Sequence, residues 1–104
     1  MPSSKDYLAY VLDLLCEADG ISHKPMMGEY VLYSNGKVFG GIYDDRFLVK
    51  PTKSAIRLLP DAEYQIPYDG AKPMLAVDSE DKRRIAELVA AMEAELPQPK
   101  QRRR

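Results

Sequence analysis

Asn35-Gly36 lies between two alternating runs, Glu29–Ser34 (EYVLYS) and residues 37–43 (KVFGGIY), and this arrangement constrains the chain more than any other feature. A two-residue hairpin turn of the primed type needs positive φ at both central positions, and Asn and Gly reach that region at least expense. Asp44-Asp45 then separates KVFGGIY from residues 46–50 (RFLVK). That reads as a second tight turn, with a less favourable dipeptide. The outcome is an antiparallel meander of three strands, with residues 21–24 as a candidate fourth.

The meander is bracketed by helical periodicity. Leu8, Val11, Leu12 and Leu15 share one face of an N-terminal helix. Ser3 or Ser4 opens it, Ser3 and Asp6 have capping-box spacing, and Gly20 is the natural stop. Thr52 caps a short helix over residues 53–59, which Pro60 closes. Residues 61–73 read as an ordered loop with a short strand near 64–66, and residues 74–77 as one more strand. Ser79 caps a C-terminal helix whose stripe is Ile85, Leu88, Val89, Met92 and Leu96. The fold class is α+β: an N-terminal helix, an antiparallel meander of four to five strands, a short middle helix and a C-terminal helix. The expected division is a single domain over residues 1–97 and a basic, flexible tail over 98–104.

Two-residue turns at both hairpins sort the sheet residues into two sets. One holds Val31, Tyr33, Val38, Ile42, Phe47 and Val49; the other holds Tyr30, Leu32, Phe39, Tyr43 and Leu48. The first is aliphatic and free of charge, and so reads as the face the helices cover. The second, left open, would be a larger apolar patch than monomers ordinarily expose. Tyr30, Leu32, Phe39, Tyr43 and Leu48 are therefore the expected interaction surface, for a homodimer or another protein partner. The competing reading is that loop 61–73, with Tyr64, Ile66 and Tyr68, folds over them. Gly40-Gly41 inside a strand signals a bulge or a close backbone approach, with a ligand slot as the other reading.

Charge and chemistry narrow the classes further. The chain carries 15 basic and 16 acidic residues, but four of the basic ones are Lys100, Arg102, Arg103 and Arg104. Residues 1–97 thus hold 11 basic against 16 acidic side chains, a net of −5. Such a body is repelled by phosphate backbones, so nucleic-acid binding would rest on that tail alone. One cysteine, Cys16, excludes an internal disulfide, and one histidine, His23, excludes a multi-histidine zinc site. Asp44 and Asp45 suit a turn better than a metal or acid–base pair. No glycine-rich phosphate loop or nucleophile elbow occurs. No catalytic set, metal site or cofactor is expected. Met26, Met27 and Gly28 remain as an alternative small-molecule pocket between helices and sheet. No run approaches a membrane span, and no signal peptide is visible, so a cytoplasmic location is expected.

The stretch over residues 25–50, PMMGEYVLYSNGKVFGGIYDDRFLVK, resembles the N-terminal domain of the TfoX/Sxy family of bacterial competence regulators. Met26-Met27-Gly28 stands for that family's Met-Phe-Gly, with Lys24 close to its Arg. Tyr33-Ser34-Asn35-Gly36 matches its hairpin, and residues 45–50 its Asp-turn strand. The likeness extends over about residues 4–95. It implies an α+β fold like that of secretion chaperones and a regulatory rather than enzymatic role. Full-length members add a C-terminal helical domain and activate competence genes alongside the cyclic-AMP receptor protein. The expectation here is a stand-alone interaction domain that modulates transcription through a protein partner.

Overall fold

The computed structural model describes residues 4–96. The basic tail, with Lys100, Arg102, Arg103 and Arg104, and the Ser3 capping box lie outside the described residues. The elements run α1 (Lys5–Leu14), β1 (Ile21–Met26), β2 (Glu29–Ser34), β3 (Lys37–Ile42), β4 (Phe47–Val49), α2 (Lys53–Leu58), β5 (Tyr64–Gln65), β6 (Met74–Ala76) and α3 (Lys82–Glu93). All six strands form one antiparallel sheet in the order β1-β2-β3-β4-β6-β5. The α+β architecture is as expected, with six strands rather than four to five, because residues 21–26 and 64–65 both find partners. No helix among the described residues is long and apolar enough to cross a membrane.

Three consecutive hairpins close with two-residue turns of positive φ: Met27 and Gly28 (52° and 85°), Asn35 and Gly36 (51° and 83°), Asp44 and Asp45 (both 54°). Their flanking pairs are Met26 with Glu29, Ser34 with Lys37, and Tyr43 with Arg46, which exchange backbone bonds of 2.9 and 3.0 Å. Asp44-Asp45 holds the primed turn despite its composition because both residues are tied down. The Asp44 N–H donates to Glu29 Oε1 (3.1 Å), and Asp45 Oδ1 accepts the Ser4 N–H (2.9 Å).

The register corrects the assignment of faces. Tyr33 pairs with Val38, but Leu32 pairs with Gly40, so Phe39 is an extra residue on β3, a β-bulge. Beyond the bulge every side chain changes face relative to straight pairing. The helix-covered face therefore takes Leu32 and Phe39 from one expected set, and Ile42, Phe47 and Val49 from the other. These five join Val11, Leu14 and Leu15 of the first helical segment, Ala55 of α2, Leu75 of β6, and Ile85, Leu88, Val89 and Met92 of α3 in one core. Tyr43 and Leu48 go to the opposite face with Ala76, where Met74 packs against them.

Helix ends differ from the expected ones in detail. Ser4 caps α1, its hydroxyl accepting the Tyr7 N–H at 3.0 Å. The helix ends at Leu14, not Gly20: Leu15 leaves the helical region at ψ 8°, and the next bonds, from Cys16 to the Asp13 carbonyl and from Ala18 to the Leu15 carbonyl, are tighter turns. Gly20, at φ +67°, instead turns the chain into β1, and its carbonyl accepts the Asn35 N–H (2.9 Å). Thr52 caps α2 as expected, through the Ala55 N–H at 3.1 Å. The cap of α3 is Asp81 rather than Ser79. Asp81 Oδ1 accepts the Arg84 N–H (3.2 Å), while the Ser79 hydroxyl accepts the Asp81 N–H (3.1 Å) one step earlier. At the far end of α3, Glu95 takes the exposed start of α2. Its two carboxylate oxygens accept from the Ser54 N–H (2.9 Å) and the Ser54 hydroxyl (2.8 Å). These bonds, aided by Thr52 and Arg57, hold the Glu95 carboxyl below the usual carboxylate range.

Candidate functional site

The expected interaction surface of Tyr30, Leu32, Phe39, Tyr43 and Leu48 is not one surface. Leu32, Phe39 and Leu48 are fully buried and Tyr43 nearly so, and the bulge sends them to two faces. Tyr30 packs against the main core. The alternative pocket fails for a local reason. Met26, Met27 and Gly28 build the β1–β2 turn, where Met27 is 96% exposed, and so enclose nothing. Cys16 is exposed, and His23 lies on exposed β1 with its ring edge-on to Tyr30 (6.1 Å). Among the described residues no group of three or more His, Cys, Asp or Glu is placed to hold a metal ion.

The face away from the helices is built around missing side chains. Gly41 is bare, and the Tyr43 ring lies across it: a Cβ on Gly41 would stand 2.6 Å from the Tyr43 ring and 2.7 Å from the Tyr30 carbonyl oxygen. Leu48 and Ala76 pack beside Tyr43. The segment after β5 then crosses over them. Arg46, just past the β3–β4 turn, fixes that segment in place. Its Nε donates to the Tyr43 carbonyl (3.0 Å), Nη1 to Gln65 Oε1 (2.9 Å) and Nη2 to the Pro67 carbonyl (3.3 Å). Pro67 is buried and the Tyr68 ring sits 5.9 Å from that of Tyr43. The covering loop of the competing reading is therefore present, but partial. Tyr64, Ile66 and Tyr68 remain 56%, 53% and 55% exposed, and Val31, Tyr33 and Val38 are half-buried.

Between loop and sheet lies an open cleft of about 480 Å³, with Val31, Val38, Gly40 and Met74 on the sheet side and Tyr68 on the loop. Its only charged lining residues are Lys50 and Lys72. Burial, then the neighbouring Tyr68, Glu29 and Tyr33, raise the pKa of Tyr43, so its hydroxyl stays protonated beside the cleft. Sequence reasoning missed this site because straight pairing placed Val31 and Val38 on the covered face. The available signal was Gly40-Gly41, read there as a bulge, close approach or ligand slot. Bulge and close approach are both present.

The two ends of the sheet differ. In a two-residue hairpin the flanking pair is hydrogen-bonded, so Met26, Lys24 and Ser22 bond β2, and the backbone of His23 and Pro25 faces outward. Pro25 thus removes an edge donor, a known device against strand addition. The β5 end has only two strand residues, and it carries Tyr64 and Ile66 between the acids Asp61, Glu63 and Asp69.

A family model, the TfoX N-terminal domain, matches residues 13–91. The "Uncharacterized 12.7 kDa protein in trpE 5'region" of Spirochaeta aurantia is 34% identical over 105 residues, spanning 99% of this chain and 91% of that relative. No solved structure matches the chain. The family match runs from the end of α1 through all six strands and most of α3, and so takes in the three turns, the bulge and the cleft: the chain belongs to the TfoX N-terminal domain family.

Proposed function

We propose that this domain is a non-enzymatic, cytoplasmic regulatory module that modulates transcription by docking a basic protein surface at the β5 end of its sheet. The observation that carries the reading is the pair Tyr64 and Ile66, each more than half exposed at a sheet edge. Large exposed apolar side chains rimmed by polar groups mark interaction sites. Asp61, Glu63 and Asp69 around them, on a body of net −5, favour a basic partner over a second, equally acidic copy. Arg46 holds Gln65 and Pro67 in place, so the strip is ordered before a partner arrives. Membership of a family of competence regulators supports a partner from the transcription machinery.

The test is site-specific photocrosslinking in cells, with the crosslinker at Ile66 and, as control, at the equally accessible Met27. A salt-sensitive adduct to a basic transcription protein at 66 and not at 27, lost in Tyr64→Ser, is the expected result. Equal adducts at both positions would overturn the reading. So would a homodimer through residue 66, detected by light scattering.

A further inference from the structure

We propose that the cleft between the bulged face of the sheet and the loop after β5 binds a small apolar carboxylate. Lys50 and Lys72 receive the carboxylate, and Val31, Val38 and Met74 receive its apolar body. This site is separate from the docking strip, which lies on Tyr64 and Ile66, and does not rest on it.

Five observations combine. The volume of about 480 Å³ falls within the range of small-molecule sites, roughly 300–1,000 Å³. The lining is apolar apart from the tyrosines and the two lysines, so an occupant must be mostly apolar to gain from entering. Both charged lining residues have the same sign, on a body whose other charges are mainly acidic. Neither ammonium has an ion-pair partner among the described residues, so each is available to an incoming anion. The walls are also preformed. Pro51, Pro67 and Pro73 line the cleft, Gly40 is locked against β4, and Arg46 ties the loop to the β3–β4 turn. A rigid cleft binds without the entropy loss of ordering its own walls. A neutral ligand of the same shape would fill the floor but leave the lysines unused, and a larger dianion would not fit the apolar floor. Flat proline and tyrosine walls favour a planar ring over a flexible chain.

The experiment is a ¹H–¹⁵N NMR titration of the protein with 2-naphthoate, with the uncharged 2-naphthalenemethanol, and with acetate. We expect saturable shifts from naphthoate, at or below about 1 mM, centred on Val31, Val38, Ala71 and Met74. The alcohol should bind at least about threefold more weakly, and acetate should give no saturable shift at the cleft. Lys50→Gln and Lys72→Gln should each weaken naphthoate by about threefold and leave the alcohol unaffected. Raising the salt should weaken naphthoate alone, which tests the charge term on the unaltered protein. Equal affinity for acid and alcohol would overturn the proposal. So would the absence of saturable shifts, or shifts centred on Tyr64 and Ile66. The first two leave the docking reading untouched, whereas loss of the crosslink at residue 66 would not affect the titration.

Discussion

Gly40→Ala tests the bulge and the close approach of β3 to β4 together. At a site with free space and ordinary φ, replacing Gly by Ala stabilises a protein by about 0.4–1 kcal/mol, because the unfolded chain loses freedom. Gly40 has no positive φ, so conformation alone predicts that gain. The space predicts the opposite. A Cβ at Gly40 would stand 2.9 Å from the Val49 Cα, and closer still to the Leu48 carbonyl oxygen. Both are backbone atoms of β4, whose three residues are all buried, so neither can rotate away. Gly40 also pairs with Val49 and Leu32 at once, which pins it from both sides. Overpacking of this kind destabilises by about 1–3 kcal/mol. In a domain of this length each kcal/mol lowers Tm by about 4–8 °C. The assay is urea unfolding followed by far-ultraviolet circular dichroism, with a lower midpoint and an unchanged slope as the expected result. An Ala variant as stable as the parent, or more so, would refute the close approach, since only the sign separates the two effects.

Three further outcomes follow from local geometry. Glu95→Gln should lower stability at neutral pH and converge with the parent in acid. A carboxyl with its folded pKa below the unfolded value stabilises the fold above the unfolded pKa, and that share disappears as pH falls through the folded one; urea midpoints at pH 7 and pH 3 measure it. Met27→Asn should raise stability by about 0.5–1 kcal/mol, since Met27 is held at φ 52° in an exposed turn where Asn-Gly is the preferred pair; thermal melts check it, and a lower Tm would argue that Met27 has a contact of its own. Arg46→Ala removes three hydrogen bonds and should cost about 1–2 kcal/mol, with faster amide exchange over residues 64–68 and unchanged protection in α3.

What could be read from the sequence was whatever local chemistry decides. Asn35-Gly36 specifies its own turn, and the helical stripes Val11–Leu15 and Ile85–Met92 were legible because their spacing alone places them on one face. The tie of Asp45 to Ser4, 41 residues away, was not legible, and it is part of what holds an Asp-Asp turn in the primed form. The cap of α3 illustrates the same limit at short range. Ser79 and Asp81 both have capping side chains, and the contest is decided by the Ser79 hydroxyl bonding the Asp81 backbone. The site was least legible, because it depends on one inserted residue and on where a proline-rich loop comes to rest.

That inserted residue is what couples core to cleft. With straight pairing, Phe39 would share a face with Tyr43 and Leu48, and Val31 and Val38 would share one with Ile42, Phe47 and Val49. Phe39 would then stand on the same face as Gly41, over the floor that is now open. The bulge instead sends Phe39 inward with Ile42, Phe47 and Val49, completing the core under α1 and α3. It leaves the outer face with Val31, Val38 and the bare Gly41 at its centre. Gly41 lets the Tyr43 ring lie across it, while Gly40 lets β4 approach β3. The same extra residue thus closes one side of the sheet and hollows the other.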